Sequence, residues 1–594
     1  MTAHHHWFRS GNHSLLAHVD LPLQSAGSGV VIVPPFGWDD ICSYRPLRSL
    51  ARNLASKGFP TLRFDLPGTG DSSGSALDQK LISAWIQSVQ DAVAELKAVT
   101  GVQSVSILGV RLGAMLALAS ASAGMQADNL ILWGASANGS AFLRELRAFR
   151  NLEVSEYAEG EVPPPQPIDG LEVAGFLLSR ETESTLEALK LQNLASMTNR
   201  RVLLLSRDNF PHDKMLVQAL EKAGCQVTLK PGTGYQNLMA APHEPIPFSQ
   251  DTESTIVDFL QAATADLTAA APVREKFRED RLCRIDEGVI ETVCSQPYKG
   301  ESLFSILAQP ATGSRSAEWG LLFMNAGGVR HIGPNRMWVD AARRWAARGV
   351  PSMRVDFHRV GESDGEQQAS IASLHADDLV EQLSVVMDSM NSQLNCQRFI
   401  AVGLCSGAFA AFQSLIRNPQ IRGAVLLNPR LFFWDPEIEP RRLARRVGTG
   451  LGDASYWRRL VRGEIQPERI KEVARVALTR LLHSGPANGR QQQIQAQAMA
   501  RAWDQVKRFQ TRVTLVFADG EPLIQEMVDE KQMPPPNNSR IQCVRVGKTG
   551  HTFRALWAQQ LVQDLIDREI NTTMQNGEKV ELLSKSPEGV SLLA

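Results

Sequence analysis

The chain has 594 residues, of which 43% are hydrophobic and 21% charged, and its formal net charge is −1. That length exceeds one ordinary core and predicts two or three domains. The charge balance argues against nucleic acid as a partner, and the absence of an uninterrupted apolar run of about 18 residues argues against a membrane span.

The N-terminal segment MTAHHHWFRSGNHS has no apolar stretch of the kind a secretory signal carries. His4, His5 and His6 read as an incidental run on a flexible terminus. Seven cysteines lie far apart with no C-x-x-C pair. A zinc or redox centre is therefore not expected, no cofactor or metal is called for, and a reducing, cytoplasmic setting is the simplest one.

In chain order, residues 28–74 predict a strand, a glycine-containing loop, an amphipathic helix with Leu50 and Leu54 on its apolar side, the strand TLRF, and a turn led by Asp65. SVSILGVRLGAMLALAS (104–120) adds a strand, a tight turn and a helix, and NLILWGAS (129–136) adds a strand. Residues 137–200, with the proline-rich VPPPQP, read as a cap. RVLLLSRDNFP (201–211) and GTGY (232–235) complete this half. After an alanine- and charge-rich connector the same order returns at 319–365, 398–414, 423–430, 512–522 and 547–551. A second cap at about 435–510 carries fifteen Lys or Arg against eight Asp or Glu.

The expected architecture is two α/β domains, each a mostly parallel sheet flanked by helices with a helical cap insertion. Domain 1 spans 1–262 with its cap at about 137–200. A linker covers 263–285, domain 2 spans 286–575 with its cap at about 435–510, and 576–594 forms a loosely held tail.

The sharpest chemical signal is Gly403-Leu404-Cys405-Ser406-Gly407, between the apolar strand RFIAV and the small-residue helix SGAFAAF. A turn of this kind lifts its central side chain out at the end of the sheet, and the helix N-terminus favours a thiolate there. Cys405 is therefore the expected nucleophile. The same turn in the first half, Gly109-Val110-Arg111-Leu112-Gly113, carries arginine, which keeps its proton and cannot attack a carbonyl.

The elbow, the two D-x-x-x-x-G-x-S-x-G turns (Asp65 to Gly74, Asp356 to Gly365) and the late Gly550-His551 make the chain resemble, twice over, the α/β-hydrolase superfamily in its serine-aminopeptidase and thioesterase-like branch. It departs from the common pattern by Cys in place of Ser. A minority of that superfamily uses Cys, including polyhydroxyalkanoate synthases and aminoacyl shuttles of nonribosomal peptide pathways, which move acyl groups held as thioesters.

The resemblance implies that His551 is the base, in a loop after the last core strand, and that an acid from RVTLVFADGEPLIQ orients it. Asp519, which aligns with Asp208 of the first half, is slightly preferred; Glu521, just before Pro522, is the alternative. The oxyanion hole would use the backbone N–H of Ser406 and that of Gly327 in Asn325-Ala326-Gly327-Gly328. In the first half Tyr235 stands at the His position, and Asp208 is the expected partner of Arg111 in a pseudo-enzyme domain.

These readings favour an acyl- or aminoacyl-transferring enzyme working through a Cys405 thioester. Its expected substrate is an acyl thioester, with CoA or a phosphopantetheinylated carrier protein as partner. Hydrolysis by the same Cys-His-Asp triad is the alternative, and a non-catalytic interaction protein ranks third. Arg441, Arg442, Arg445, Arg446, Arg458, Arg459 and Arg462 read as a solvated helix face or as a cradle for a phosphopantetheine phosphate or an acidic carrier.

Overall fold

A computed structural model gives the fold. It describes residues 2–592 apart from 126, 156–168, 192–193, 195–196, 241–247, 265–280, 312–316, 366–372, 435–486, 530–531, 535–537 and 576–589. The chain divides into two compact units. The first comprises Met1–Ala317, Gly328–Gln368 and Phe553–Asp564; the second comprises Glu318–Gly327, Ala369–Thr552 and Leu565–Ala594.

In the first half the strands are β1 (Thr2–Ser10), β2 (His13–Leu21), β3 (Ser28–Val33), β4 (Thr61–Phe64), β5 (Ser104–Val110), β6 (Asn129–Trp133), β7 (Gly170–Val173), β8 (Phe176–Ser179), β9 (Arg201–Leu205) and β10 (Gln226–Lys230). Eight form one sheet in the order β1-β2-β4-β3-β5-β6-β9-β10. The first two pairings, β1–β2 and β2–β4, are antiparallel and the rest are parallel.

Their unbroken apolar runs have a direct cause. Val31 and Val33 of β3 join one core with Trp85 and Leu96 of helix Leu81–Thr100 and Leu116 of helix Leu112–Ser122. Val30 and Ile32 join the opposite core with Leu50 and Leu54 of helix Trp38–Ser56 and Ile256 and Leu260 of helix Gln250–Thr264. Successive side chains thus enter helical layers on opposite faces, so no position in the strand faces water.

The second half supplies β11 (Leu282–Arg284), β12 (Val289–Tyr298), β13 (Glu301–Pro310), β14 (Trp319–Met324), β15 (Ser352–Val355), β16 (Arg398–Leu404), β17 (Ile421–Leu427), β18 (Arg512–Ala518), β19 (Ile541–Val546) and β20 (Val590–Leu592). Within the first unit β11, β12, β13 and β15 pair antiparallel in that order. Within the second unit β14, β16, β17, β18 and β19 pair parallel, and β20 closes the edge antiparallel. Each half of the chain thus contributes a mostly parallel sheet.

Two segments that the sequence reading leaves outside the domains supply strands: β11 lies in the expected linker and β20 in the expected tail. The expected first cap contains helix Gly139–Ser155, the β7–β8 hairpin and helix Arg180–Ala188. Of the second, helix Ala487–Phe509 is described, while 435–486, including the seven arginines singled out above, lies outside the described residues. No helix among the described residues is long and apolar enough to cross a membrane.

The histidine run corrects another expectation. His4, His5 and His6 lie within β1, which pairs with β2 along its whole length; His5 Nδ1 is 2.7 Å from His18 Nδ1, and His6 Nε2 is 2.8 Å from Glu95. A strand paired this fully has no free terminus.

The first unit also holds a buried exchange of charge between the two repeats. Arg63 and Arg354 occupy matching places in TLRF and SMRV, and Asp71 and Glu362 occupy matching places after them. Arg63 makes two bonds of 3.0 Å to Glu362, while Arg354 Nη2 reaches Asp71 at 2.9 Å. Each repeat therefore neutralises the other's arginine, as two subunits do across a two-fold axis. Arg48 adds a further bond to Glu362, Arg330 holds Asp65 at 2.7 Å, and His331 is clamped between Asp71 and Asp356 at 2.7 Å each. His5, His18 and Glu362 bring three possible metal ligands within 4.8 Å. The set does not fit a cation: Glu362 is committed to Arg63 and Arg48, and their positive charge opposes a metal ion there.

Candidate active site

Strand β16 is buried except at Arg398, and the chain turns from its end straight into helix Ser406–Leu415. The glycines on either side permit this. A Cβ at Gly407 would run into the Asn325 carbonyl, and one at Gly403 would run into the Gly407 backbone. Between them Cys405 is held at φ 57 and ψ −114, with its N–H donating to Leu427 O at 2.9 Å. A non-glycine residue at such a φ is strained, and here the strain presents the thiol at the helix N-terminus.

His551 stands in the loop after β19, close enough for its side chain to be the largest influence lowering the Cys405 pKa. Its Nδ1 lies 2.7 Å from Glu521 Oε1. The structure thus brings Cys405, His551 and Glu521 together. Asp519, the acid preferred on sequence, is engaged elsewhere: Arg545 Nε at 2.6 Å and the Lys548 N–H at 2.6 Å hold its carboxylate. It turns toward β19, while Glu521, two residues on, reaches the imidazole.

Both expected oxyanion donors belong to the first turn of the same helix or touch it. The Ser406 N–H helps to lower the Cys405 pKa, and the Gly327 N–H donates to Ser406 Oγ at 2.9 Å. Gly327 takes a left-handed φ of 60.

The electrostatics are those of a thiolate–imidazolium pair. Burial alone would raise the Cys405 pKa; the hydrogen bond and charge of His551, then Arg430 and the Ser406 N–H, outweigh it and hold the thiol below its ordinary value. Burial alone would lower the His551 pKa, but its bonds to Cys405 and Glu521 push it up to about 9.

Two residues in this site escape the sequence reading. Asn428, fully buried at the end of β17, donates from Nδ2 to the His551 carbonyl at 2.6 Å and accepts from the Ala518 N–H at 2.7 Å. Arg430 places its Nε 3.4 Å from His551 Nε2. That contact is a hydrogen bond only while Nε2 lacks a proton; otherwise Arg430 is simply a neighbouring cation.

The first half builds the same turn without the chemistry. Arg111 sits at φ 55 and ψ −116, with its N–H donating to Trp133 O at 2.9 Å. Its nine-tenths-buried guanidinium contacts Asp39 at 3.2 Å and pairs with Glu145 of helix Gly139–Ser155, which Arg207 also holds at 2.9 Å. The expected partner, Asp208, is not there. Its two oxygens accept from the Gly234 and Gln236 N–H groups at 2.9 and 2.8 Å, capping the short helix that Tyr235 opens. Arginine's length explains the difference: it reaches past the acid position to the cap helix.

The sheets, the elbow and the histidine loop have the arrangement of the α/β-hydrolase fold. More narrowly, residues 320–533 match the family model Hydrolase_4, serine aminopeptidase, S33. The match takes in the elbow and both candidate acids and ends before His551. No curated protein matches the chain. Among solved structures it is similar to Est1E from Butyrivibrio proteoclasticus, at 15% identity and a TM-score of 0.32 over 45% of this chain and 100% of that one. It is also similar to proline iminopeptidase of Mycobacterium smegmatis (13% identity, TM-score 0.31, 44% of this chain and 99% of that one). A third is the α/β hydrolase GrgF from Penicillium sp. sh18 (14% identity, TM-score 0.30, 45% and 100%).

Proposed function

We propose that the second half transfers acyl groups through a thioester on Cys405. The observation that carries this reading is the Cys405–His551–Glu521 chain of contacts, with the thiol pKa lowered and the imidazole pKa raised. The thiolate attacks the carbonyl of a thioester donor, and the Ser406 N–H, with the Gly327 N–H once it leaves Ser406 Oγ, receives the oxyanion. The donor C–S bond breaks as the Cys405 acyl bond forms, and the departing sulfur takes the proton held on His551. Exchange of one thioester for another is nearly balanced in energy, which suits a carrier that must both load and unload. CoA or a phosphopantetheinylated carrier protein is the expected donor.

Hydrolysis by the same residues is the second reading, favoured by the match to a peptidase-type hydrolase family. The first half, with Arg111 and Tyr235 in place of nucleophile and base, is read as a pseudo-enzyme domain of residues 1–262, joined through 263–285 to the catalytic domain at 286–575. A reducing, cytoplasmic setting suits a free catalytic thiol.

Intact-protein mass spectrometry after exposure to acyl-CoA and acyl-carrier thioesters tests the reading. The expected result is one acyl adduct, lost in Cys405→Ala, and discharged faster by an added thiol or amine acceptor than by water. An adduct that persists in Cys405→Ala overturns it, and discharge by water alone selects hydrolysis.

A further inference from the structure

Asn428 is fully buried, and its main-chain N–H and both ends of its side-chain amide are hydrogen-bonded. Its N–H donates to Val516 O at 2.8 Å, Oδ1 accepts from the Ala518 N–H at 2.7 Å, and Nδ2 donates to the His551 carbonyl at 2.6 Å. Only one orientation of the amide serves both side-chain partners, because an N–H must meet the oxygen and a carbonyl must meet the nitrogen. Ala518 is the last residue of β18, three residues before Glu521. One side chain therefore ties together the two segments that carry the acid and the base.

The backbone at this position is demanding. Asn428 has a φ of 41, in the left-handed region that asparagine tolerates better than most side chains. In the first half the matching residue is Gly134, with a φ of 63 and an N–H donating to Leu205 O at 3.1 Å. Both halves thus bend the chain alike after the strand. Only the half with a histidine fills the bend with an amide, since the matching late position in the first half is Tyr235. The segment also delivers Arg430, two residues on, to the imidazole; among the described residues, Cys405, Glu521 and Arg430 are the charged or titratable groups that act on His551.

We infer that Asn428 is a positioning residue for the Cys405–His551 pair, fixing the His551 main chain and the start of the Glu521 loop in one register. The inference deepens the acyl-transfer reading and rests on it for its meaning in catalysis. Nothing in the geometry requires Asn428 to touch a substrate. Loss of the amide frees the His551 loop without removing any member of the constellation, so the histidine bonds the sulfur for a smaller part of the time.

The test uses the full chain and a probe that needs no acyl chemistry: alkylation of Cys405 by iodoacetamide, followed by peptide mass spectrometry across pH. Asn428→Gly is the primary variant, because glycine accepts the backbone conformation, as Gly134 does. The expected result is an alkylation rate at pH 6 about ten-fold below wild type, corresponding to a thiol midpoint about one pH unit higher, with the melting temperature little changed. If Asn428→Gly does not yield folded protein, Asn428→Ser is measured in the same way with the same expectation. A pH profile that superimposes on wild type, whatever the melting temperature, overturns the inference. A shifted profile in a protein that forms no acyl adduct upholds the positioning role and rejects the acyl-transfer reading, so the two failures are distinguishable.

Discussion

Cys405 and Arg111 share one backbone conformation, φ 57 and ψ −114 against φ 55 and ψ −116, and each donates its N–H to the end of the next strand at 2.9 Å. The conformation is set by the flanking glycines and the neighbouring strands, not by the side chain between them. The first half carries the same strained turn with an arginine in it. There the residue at the bend is held by Asp39 and Glu145.

Arg111 therefore lends itself to a comparison of two truncations. Both Arg111→Ala and Arg111→Gly remove the ion pairs, but glycine adopts the positive φ without strain. Arg111→Gly is expected to be the more stable of the two by about 1 kcal/mol in urea unfolding. Both should leave adduct formation at Cys405 unchanged. Equal stabilities would mean that the turn relaxes once arginine is gone.

The two candidate acids separate just as cleanly. Glu521→Gln removes the carboxylate bonded to His551 Nδ1, and the rate of Cys405 acylation should fall about 10²-fold. Asp519→Asn disturbs only contacts with Arg545 and Lys548 and should change that rate by less than about three-fold, since it touches no reacting group. Stopped-flow acylation of both variants by one thioester decides between them, and the reverse ranking would restore Asp519.

Much of this was legible in the residues because it is local or repeated. The strand order follows from apolar runs with matching spacing in both halves, and the elbow from two glycines around Cys405. The partner of Arg111 was not legible, because Glu145 comes from an insertion whose path depends on tertiary packing. The choice of Glu521 over Asp519 depends on which way two carboxylates turn, a matter of side-chain length and of the neighbouring Arg545. Asn428 gave no signal of its own, since a lone asparagine after a strand reads as a turn former. The charge exchange between Arg63 and Glu362 and between Arg354 and Asp71 joins residues about 300 apart, beyond any local pattern.

That exchange should dominate the stability of the first unit. Glu362 accepts from Arg63 and Arg48 in a site closed to water. Glu362→Ala leaves two buried guanidinium groups without their carboxylate, and the expected loss is about 3–5 kcal/mol in urea unfolding. Glu301→Ala, at an exposed carboxylate paired with His358, serves as a control expected within about 1 kcal/mol of wild type.

The histidines of the first unit should give the fold a pH optimum. Burial, against the attraction of Glu362, pushes the His5 pKa down to about 3, and burial holds His18 well below its ordinary value. Both stay neutral in the fold and would protonate in the unfolded chain near pH 6.5, so this stability is present above about pH 6.5 and is lost progressively toward pH 3. His331 has the opposite sign. Asp71 and Asp356 overcome its burial and push its pKa up to about 9, so its contribution is full below about pH 6.5 and is lost as pH rises through 9. Thermal melts should therefore peak near neutrality and fall on both sides. His331→Gln should flatten the alkaline limb and leave the acid limb in place; an unchanged alkaline limb would count against the charged His331.

The last expectation concerns the thiol itself. The Cys405 pKa is lowered despite burial, first by His551 and then by Arg430, so the thiolate is present above that lowered pKa and disappears as pH falls through it. Alkylation of Cys405 in the wild type should remain fast at pH values where an ordinary cysteine has become unreactive. His551→Ala leaves burial as the main influence, so the midpoint should move above that of a free cysteine and the rate at pH 7 should fall by about ten-fold or more. Arg430→Gln removes only the outer cation. Its shift should go in the same direction but be smaller, and it should shrink as salt is added, because Arg430 is exposed while His551 is the larger influence on the thiol. The salt dependence separates the two contributions. If Arg430→Gln shifted the midpoint as far as His551→Ala, the arginine and not the histidine would be the main partner of the thiolate, and the Cys405–His551–Glu521 constellation would have to be abandoned.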